Sequence, residues 1–173
     1  MTGPRKWATA AAFCAAIGYA SSAAPSVFKN RFIEFETPER WSCALENTEY
    51  VCQDTRPELK KDSIIIFAAK LRGNQDTLAA YRDHLGRSKK QRDPNGKEVV
   101  SKVLSVKNVV RNGLTWVESI QDDSEIIGFR THYLAVVRDP IAVLVTFTIN
   151  RSKYNAQAPR FESMVRTLKI KTP

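Results

Sequence analysis

The chain has 173 residues, of which 43% are hydrophobic and 26% are charged, and its formal net charge is +9. This length fits one domain, and the sequence has no internal repeat, low-complexity tract or long linker that would divide it. A basic exported protein is attracted to anionic surfaces, but the positive residues are spread along the chain among acidic ones, so solubility alone accounts for the net charge.

The first 24 residues have the pattern of a secretory signal peptide. Arg5 and Lys6 precede an uncharged, alanine-rich run over residues 7–20, and small residues follow at positions 21–24. This order predicts a cleavable signal. The apolar run is shorter than the roughly 20 residues that a membrane-spanning helix needs, which argues against an uncleaved anchor. We therefore expect a periplasmic or secreted protein.

Cleavage after Ala24 would leave a single domain over residues 25–173. It would remove two of the 27 basic residues and none of the 18 acidic ones, which lowers the net charge to +7. A domain of this size buries about 70% of the surface that its unfolded chain exposes, so it needs no partner in order to fold. We expect a monomer without a transmembrane segment.

The mature chain begins with a short predicted strand over residues 32–35, followed by a hairpin that contains Cys43 and Cys52. An exported pair of cysteines becomes a disulfide in an oxidising compartment. If Asn47 and Thr48 form a two-residue loop, antiparallel counting places Cys43 opposite Cys52 in a non-hydrogen-bonded pair. The Cα atoms of such a pair are about 4.5–5.5 Å apart, within reach of a disulfide. A metal site is the alternative, but two thiols without a nearby histidine are a poor zinc ligand set.

The middle of the chain predicts a buried strand and a helix. After a polar connection over residues 56–61, the apolar run over residues 63–71 predicts a strand buried on both faces. Residues 74–88 predict a helix, because Asn74 or Asp76 can cap its start and Gly86 lies near its end. A basic, turn-rich segment follows.

Four strand signals and a helix complete the chain. The strands fall within residues 99–110, 114–121, 126–137 and 141–150, and Asn112-Gly113 is a strong hairpin turn between the first two. The C-terminal helix is predicted from a core-facing stripe at i, i+3, i+4 and i+7 spacing, with Pro159 in its first turn. The stripe consists of Phe161, Met164, Val165 and Leu168.

Two strands that are apolar on both faces need cover on both faces, which one helix on each side would supply. The predicted fold class is therefore α+β: a largely antiparallel sheet flanked by helices on both faces, in an α/β/α sandwich.

The chain resembles PsbP-like domains of the Mog/PsbP superfamily. Phe35-x-x-Pro38-x-x-Trp41 is similar to the opening motif of those domains, and the order of elements over residues 32–171 is similar too. The resemblance implies an α/β/α sandwich and a non-enzymatic role in binding or assembly. It brings no catalytic residues and no cofactor, and fold analogy does not identify a partner.

His84 and His132 are the only histidines and are the candidates for an alternative, an envelope hydrolase. A nucleophile and its base must lie within hydrogen-bond reach of each other, and the sequence has neither a G-x-S-x-G nor an H-E-x-x-H motif. Asp122, Asp123 and Glu125 lack the spacing of a calcium loop. We therefore expect no enzyme activity and no metal. Trp41 and Trp116 lie in strand-like alternation, which favours core packing.

The densest positive stretch, residues 86–102, carries six basic residues against two acidic ones. A solvated, flexible loop without a binding role accounts for such a stretch. Because loops on rigid scaffolds often carry binding, it is also the first choice of contact region for an anionic envelope component or an acidic protein. The candidate contacts are Arg87, Lys89, Lys90, Arg92 and Lys97. The stretch has no aromatic residue for base stacking, which argues against nucleic acid. A structural envelope protein without any ligand is the remaining alternative.

Overall fold

The computed structural model describes residues 26–171, and the predicted signal peptide lies outside the described residues. Twelve strands occur in this part of the chain. They are β1 (Val27–Lys29), β2 (Ile33–Glu36), β3 (Trp41–Glu46), β4 (Glu49–Asp54), β5 (Ser63–Leu71), β6 (Lys90–Arg92), β7 (Glu98–Val100), β8 (Lys102–Arg111), β9 (Leu114–Asp122), β10 (Phe129–Arg138), β11 (Ile141–Asn150) and β12 (Lys169–Ile170). The helices are α1 (Pro57–Lys60), α2 (Leu78–Leu85) and α3 (Tyr154–Thr167), and the 3-10 turn Arg151–Lys153 precedes α3.

Seven of the strands form one antiparallel sheet in the order β3-β4-β5-β11-β10-β9-β8. The hairpin β3–β4 has the predicted register, with Glu46 opposite Glu49 and Cys43 opposite Cys52. Cys43 and Cys52 are joined by a disulfide, and their Cα atoms are 4.0 Å apart, closer than counting alone predicted. At the β8–β9 turn Asn112 and Gly113 both have positive φ, 52° and 73°, as a two-residue hairpin loop requires.

The first face of the sheet holds the main core. α3 and the small sheet β1-β2-β12 cover this face. Phe147 and Phe161 stack here with ring centroids 4.7 Å apart. Trp41 and Trp116 are 6% and 1% exposed, so both tryptophans pack in the core as expected.

The second face is covered over only part of its width. α2 packs Leu85 against Val117, Tyr133 and Ala135 of β9 and β10. With eight residues, α2 is about 12 Å long, whereas seven strands extend over roughly 29 Å. The second face of β3–β5 therefore stays half open, and β5 is buried on one face and half-buried on the other. This corrects the expectation of a β5 buried on both sides.

Both longer helices differ from their predicted bounds at their start. Thr77 caps α2, because its side-chain oxygen accepts a hydrogen bond from the backbone N–H of Ala80, so the helix begins after Asn74 and Asp76. Pro159 lies inside α3 and not in its first turn. The helical segment begins before Pro159, with the 3-10 turn at Arg151, because the side chain of Asn150 at the end of β11 accepts a hydrogen bond from the backbone N–H of Ser152.

The edge strand β8 contains an irregularity. Its register with β9 shifts between Val103 and Ser105, and Leu104 is 40% exposed there. Within residues 26–171 no helix combines the length and the hydropathy that crossing a bilayer would require.

Candidate functional site

The predicted contact stretch folds into a small β-hairpin, which replaces the expected loop. We call residues 87–101 the basic hairpin. Its strands β6 and β7 pair with Lys90 opposite Val100 and Arg92 opposite Glu98. At its base the backbone N–H of Ser101 donates to the carbonyl of Lys89 at 2.8 Å, and the Ser101 hydroxyl accepts from the Lys89 N–H at 2.7 Å. The hairpin is thus a defined structure with an inner and an outer face.

The inner face is fastened to the loop that joins β9 and β10. Lys89 Nζ lies 2.5 Å from Glu125 Oε1, and Gln91 Nε2 donates to the carbonyl of Asp123 at 2.7 Å. The Tyr133 hydroxyl donates to the same Glu125 oxygen and accepts from the Ser124 hydroxyl. Burial, together with Glu125, raises the pKa of Tyr133 well above its usual range. Lys89 is therefore part of the attachment.

The outer face carries the exposed charge. Lys90, Arg92 and Lys97 are exposed. Lys90 pairs with Glu98 at 3.1 Å, and Arg92 Nη1 donates to the carbonyl of Gly96. The fifth candidate, Arg87, lies at the end of α2 and pairs with Asp83. Of the five predicted contacts, Lys90 and Arg92 thus share the outer face, Lys97 is exposed in the adjoining turn, and Lys89 is turned inward.

Exposed apolar side chains occur on the basic hairpin and on the elements that adjoin it in the chain or hold it. Val100 lies on the outer face of the basic hairpin and is 52% exposed. Ile126, in the loop that holds the hairpin, and Leu104, in the irregular part of β8, are 43% and 40% exposed.

The histidines do not form a catalytic pair. His84 is exposed on α2. His132 is 4% exposed in β10, its ring lies 4.9 Å from that of Phe161, and its Nε2 is 3.2 Å from Glu118 Oε2. Among the described residues no hydroxyl or thiol forms a hydrogen bond with His132, and the carboxylate of Glu118 is its charged neighbour.

Glu118 is the centre of a buried charge network. Besides His132, it contacts Arg111 Nη2 at 2.6 Å and Lys107 Nζ at 3.2 Å. The contact with His132 and the hydrogen bond from Arg111 hold the pKa of Glu118 far below its usual range, against the opposing effect of burial. Arg111 also pairs with Glu162 on α3. The network therefore ties α3 to the sheet.

The acidic trio near the β9–β10 loop is neutralised by basic side chains. Asp122 accepts from Arg130, Asp123 from Arg151, and Glu125 from Lys89. In the part of the chain that the structure describes, no group of three potential ligands could hold a metal ion.

A polar cleft of about 510 Å³ was not predicted from the sequence. We call it the arginine cleft. Its lining residues are Glu36, Thr37, Pro38, Glu39, Arg40, Arg56, Arg160, Ser163 and Met164. Residues 36–40 form its wall between Phe35 and Trp41, which are both anchored in the core. The signal for the cleft was present in the sequence, since Phe35-x-x-Pro38-x-x-Trp41 is the motif that builds this wall.

Arg40 has an unusual backbone conformation at the edge of this cleft. Its φ is 63°, and among residues 26–171 no other residue apart from asparagine, aspartate and glycine has a positive φ. The carbonyl of Arg40 accepts from both the backbone N–H and the hydroxyl of Thr55, at 2.7 Å and 2.9 Å. These bonds hold Arg40 in a conformation that a residue with a Cβ normally avoids.

Two arginines that line the arginine cleft, Arg56 and Arg160, adjoin a buried carboxylate that is not itself part of the lining. Asp54 is 2% exposed and is bound by Arg56 through Nε at 2.8 Å and Nη2 at 2.5 Å. Arg160 Nη1 lies 3.8 Å from Asp54 Oδ2. The hydrogen bonds from Arg56 lower the pKa of Asp54, although burial opposes them.

Comparison with solved structures shows the fold. Cyanobacterial PsbP (CyanoP) from Synechocystis matches over 91% of this chain and 99% of its own, with a TM-score of 0.61 and 8% identity. The Ran-binding protein Mog1p from Saccharomyces cerevisiae matches over 86% and 96%, with a TM-score of 0.54 and 12% identity. A Pseudomonas aeruginosa protein of unknown function matches over 86% and 98%, with a TM-score of 0.54 and 11% identity. No family model and no curated protein matches the sequence.

These likenesses confirm the predicted PsbP-like fold, with its largely antiparallel sheet and its helices on both faces. At such low sequence identity, these matches support the fold and nothing more. The residues that could bind a partner or a ligand therefore have to be identified on the surfaces of this chain.

Proposed function

We propose that this chain is a non-enzymatic binding or accessory module of the periplasm or the cell exterior, which holds an acidic partner protein on its basic hairpin. Export is proposed from the signal-peptide pattern of residues 1–24 and is consistent with the Cys43–Cys52 disulfide, a bond typical of oxidising compartments. The PsbP-like fold supports a binding role, since one structural neighbour is named as a binder of the protein Ran.

The observation that carries the proposal is the way the basic hairpin is mounted. Lys89 and Gln91 bind it to the β9–β10 loop. Lys90, Arg92 and Lys97 therefore face solvent on a surface that is already ordered. A preordered surface loses little conformational entropy when a partner binds, and its exposed charges accelerate encounter with an acidic protein.

The exposed apolar residues on and next to the basic hairpin in the chain, and in the loop that holds it, favour a protein over a purely anionic polymer. Val100, Leu104 and Ile126 offer apolar area that a polyanion would leave in water. A protein partner can bury this area while its acidic side chains meet the cations. Burial of apolar area supplies affinity that salt does not screen.

The test is charge reversal on the outer face. A variant with Lys90→Glu, Arg92→Glu and Lys97→Glu is compared with a control in which three other exposed lysines are reversed, Lys60→Glu, Lys61→Glu and Lys169→Glu. Both variants change the net charge equally. Binding of each purified protein to envelope fractions of the source organism is measured at low and at high salt.

We expect the hairpin variant to bind about tenfold more weakly at low salt and the control to bind like the original protein. Protease treatment of the envelope fraction should abolish the binding. Equal losses in the two variants would assign the effect to net charge and refute the hairpin. Undiminished binding to protease-treated fractions or to anionic vesicles would identify an anionic surface as the partner.

A further inference from the structure

The arginine cleft shares no residue with the basic hairpin, and it has the features of a small-molecule site. Its volume of about 510 Å³ lies within the range of ligand pockets, roughly 300–1,000 Å³. Its wall is rigid because Phe35 and Trp41 are buried at its two ends and Thr55 holds the carbonyl of Arg40.

Arg56 and Arg160, the two arginines that adjoin Asp54, have side-chain N–H groups that Asp54 does not bind. Asp54 occupies Nε and Nη2 of Arg56, and among the described residues no group accepts from Arg56 Nη1. Arg160 is 44% exposed, and its separation of 3.8 Å from Asp54 is too long for a hydrogen bond. One carboxylate is thus shared by two guanidinium groups, which leaves a positive surplus where an incoming carboxylate could accept hydrogen bonds.

The acidic side chains of the cleft restrict the kind of anion. Glu36 and Glu39 are exposed and line the same space. Three arginines, counting Arg40, therefore line the cleft with two glutamates, and Glu39 lies 3.6 Å from Arg40. A polyanion would be repelled by the two exposed glutamates. A ligand with one carboxylate and one ammonium group could satisfy both signs.

Other lining groups suit a ligand of this kind. Ser163 offers a hydroxyl on α3, and Pro38 and Met164 offer apolar contact. Arg40 in the wall of the cleft has a strained, left-handed backbone conformation. Such strain is found preferentially at ligand-binding and active sites.

We propose that the arginine cleft binds small zwitterions, amino acids or short peptides with free ends. The ligand carboxylate lies against Arg56 and Arg160, and the ligand ammonium lies toward Glu36 and Glu39. This inference does not depend on the partner proposed for the basic hairpin, since the two sites have no residue in common.

The test uses the purified, isotope-labelled protein and nuclear magnetic resonance titrations. The probes are trialanine, trialanine amide, N-acetyl-trialanine and inorganic phosphate. Trialanine should shift the resonances of residues 36–40 and of the Arg160 region in a saturable way. The amide and the N-acetyl peptide should each bind about tenfold more weakly, since each lacks one of the two charges.

Matched variants on α3 locate the site. Arg160→Gln removes the open guanidinium from the cleft, whereas Arg166→Gln removes another exposed arginine of α3 that does not line the cleft. We expect about tenfold weaker trialanine binding for Arg160→Gln and no change for Arg166→Gln.

Four outcomes would overturn the proposal. These are the absence of saturable shifts at the cleft, equal binding of trialanine and its amide or N-acetyl form, binding of phosphate as tight as that of trialanine, and equal affinity of the two arginine variants. Thermal unfolding of both variants, with transitions close to that of the original protein, ensures that a lost signal reflects the cleft.

Discussion

Replacement of Glu118 by glutamine tests whether the buried charge network fastens α3 to the sheet. Removal of one member of a buried ion pair costs about 3–5 kcal/mol of unfolding free energy. The side chain of Arg111 remains 24% exposed and keeps its contact with Glu162, so part of that cost is relieved. We therefore expect a loss of about 2–3 kcal/mol, in line with hydrogen bonds to charged groups. For a domain of this size the melting temperature should fall by roughly 5–10 °C.

The pH dependence of this loss has a definite sign. The pKa of Glu118 is lower in the folded chain than the ordinary value of 4.5, so its contribution is fully present above about pH 4.5 and disappears as the pH falls toward the folded pKa. The difference in unfolding free energy between the original protein and Glu118→Gln should thus shrink as the pH falls below about 4.5. The charged or titratable groups that face Glu118 are Lys107, Arg111 and His132.

Urea unfolding of the purified proteins from neutral to acidic pH measures these differences, and Glu162→Gln is the matched control. Glu162 binds the same arginine but is 35% exposed, so its loss should cost less than about 1 kcal/mol. Equal destabilisation by the two variants at neutral pH, or a Glu118→Gln deficit that does not decrease in acid, would refute the assigned role of Glu118.

Two further predictions concern the hairpin disulfide and the wall of the arginine cleft. Reduction of the Cys43–Cys52 bond, which joins residues nine positions apart, should lower the free energy of unfolding by about 2–3 kcal/mol. The Cys43→Ala/Cys52→Ala variant is the control, and its stability should not change when the reductant is added. If the stability of the original protein does not change either, the expected contribution of the disulfide is contradicted. Arg40→Gly should be more stable than Arg40→Ala by about 0.5–1 kcal/mol. Glycine adopts a positive φ without strain, whereas alanine keeps the strain, and the strain energy relieved by glycine exceeds the extra conformational entropy that glycine loses on folding. Chemical denaturation measures both, and an Arg40→Ala variant at least as stable as Arg40→Gly would show that the left-handed backbone carries no cost.

Elements fixed by local chemistry could be predicted from the sequence. The alternation of apolar and polar residues on both sides of the loop at Asn47 was enough to place Cys43 opposite Cys52. Once a two-residue loop is assumed, the register of the antiparallel pair is determined. Asn112-Gly113 marked the β8–β9 turn because both residues tolerate positive φ. The run over residues 63–71 has the bounds of β5, since its apolar residues end at polar ones on both sides.

Features that depend on tertiary placement could not be predicted. The helix α2 was found, but the width of sheet that it covers depends on its position across the strands, so the half-open second face of β5 was missed. Lys89 was assigned to the exposed charges because sequence does not show that Glu125, 36 residues away, would turn it inward. The arginine cleft combines residues of β2 and the segment after it, Arg56 before α1, and residues of α3, and their separation in sequence hides their proximity.

The register shift in β8 affects the tendency of the protein to aggregate at high concentration. Within the described residues β8 has a strand partner on one side only, and its outer backbone groups could therefore recruit the same strand of a second copy into a continuing sheet. The shift between Val103 and Ser105 breaks the regular sequence of N–H and carbonyl groups, and Lys102 and Lys107 place like charges on such an approach. The long edge strand is thereby protected against growth into aggregates at high concentration.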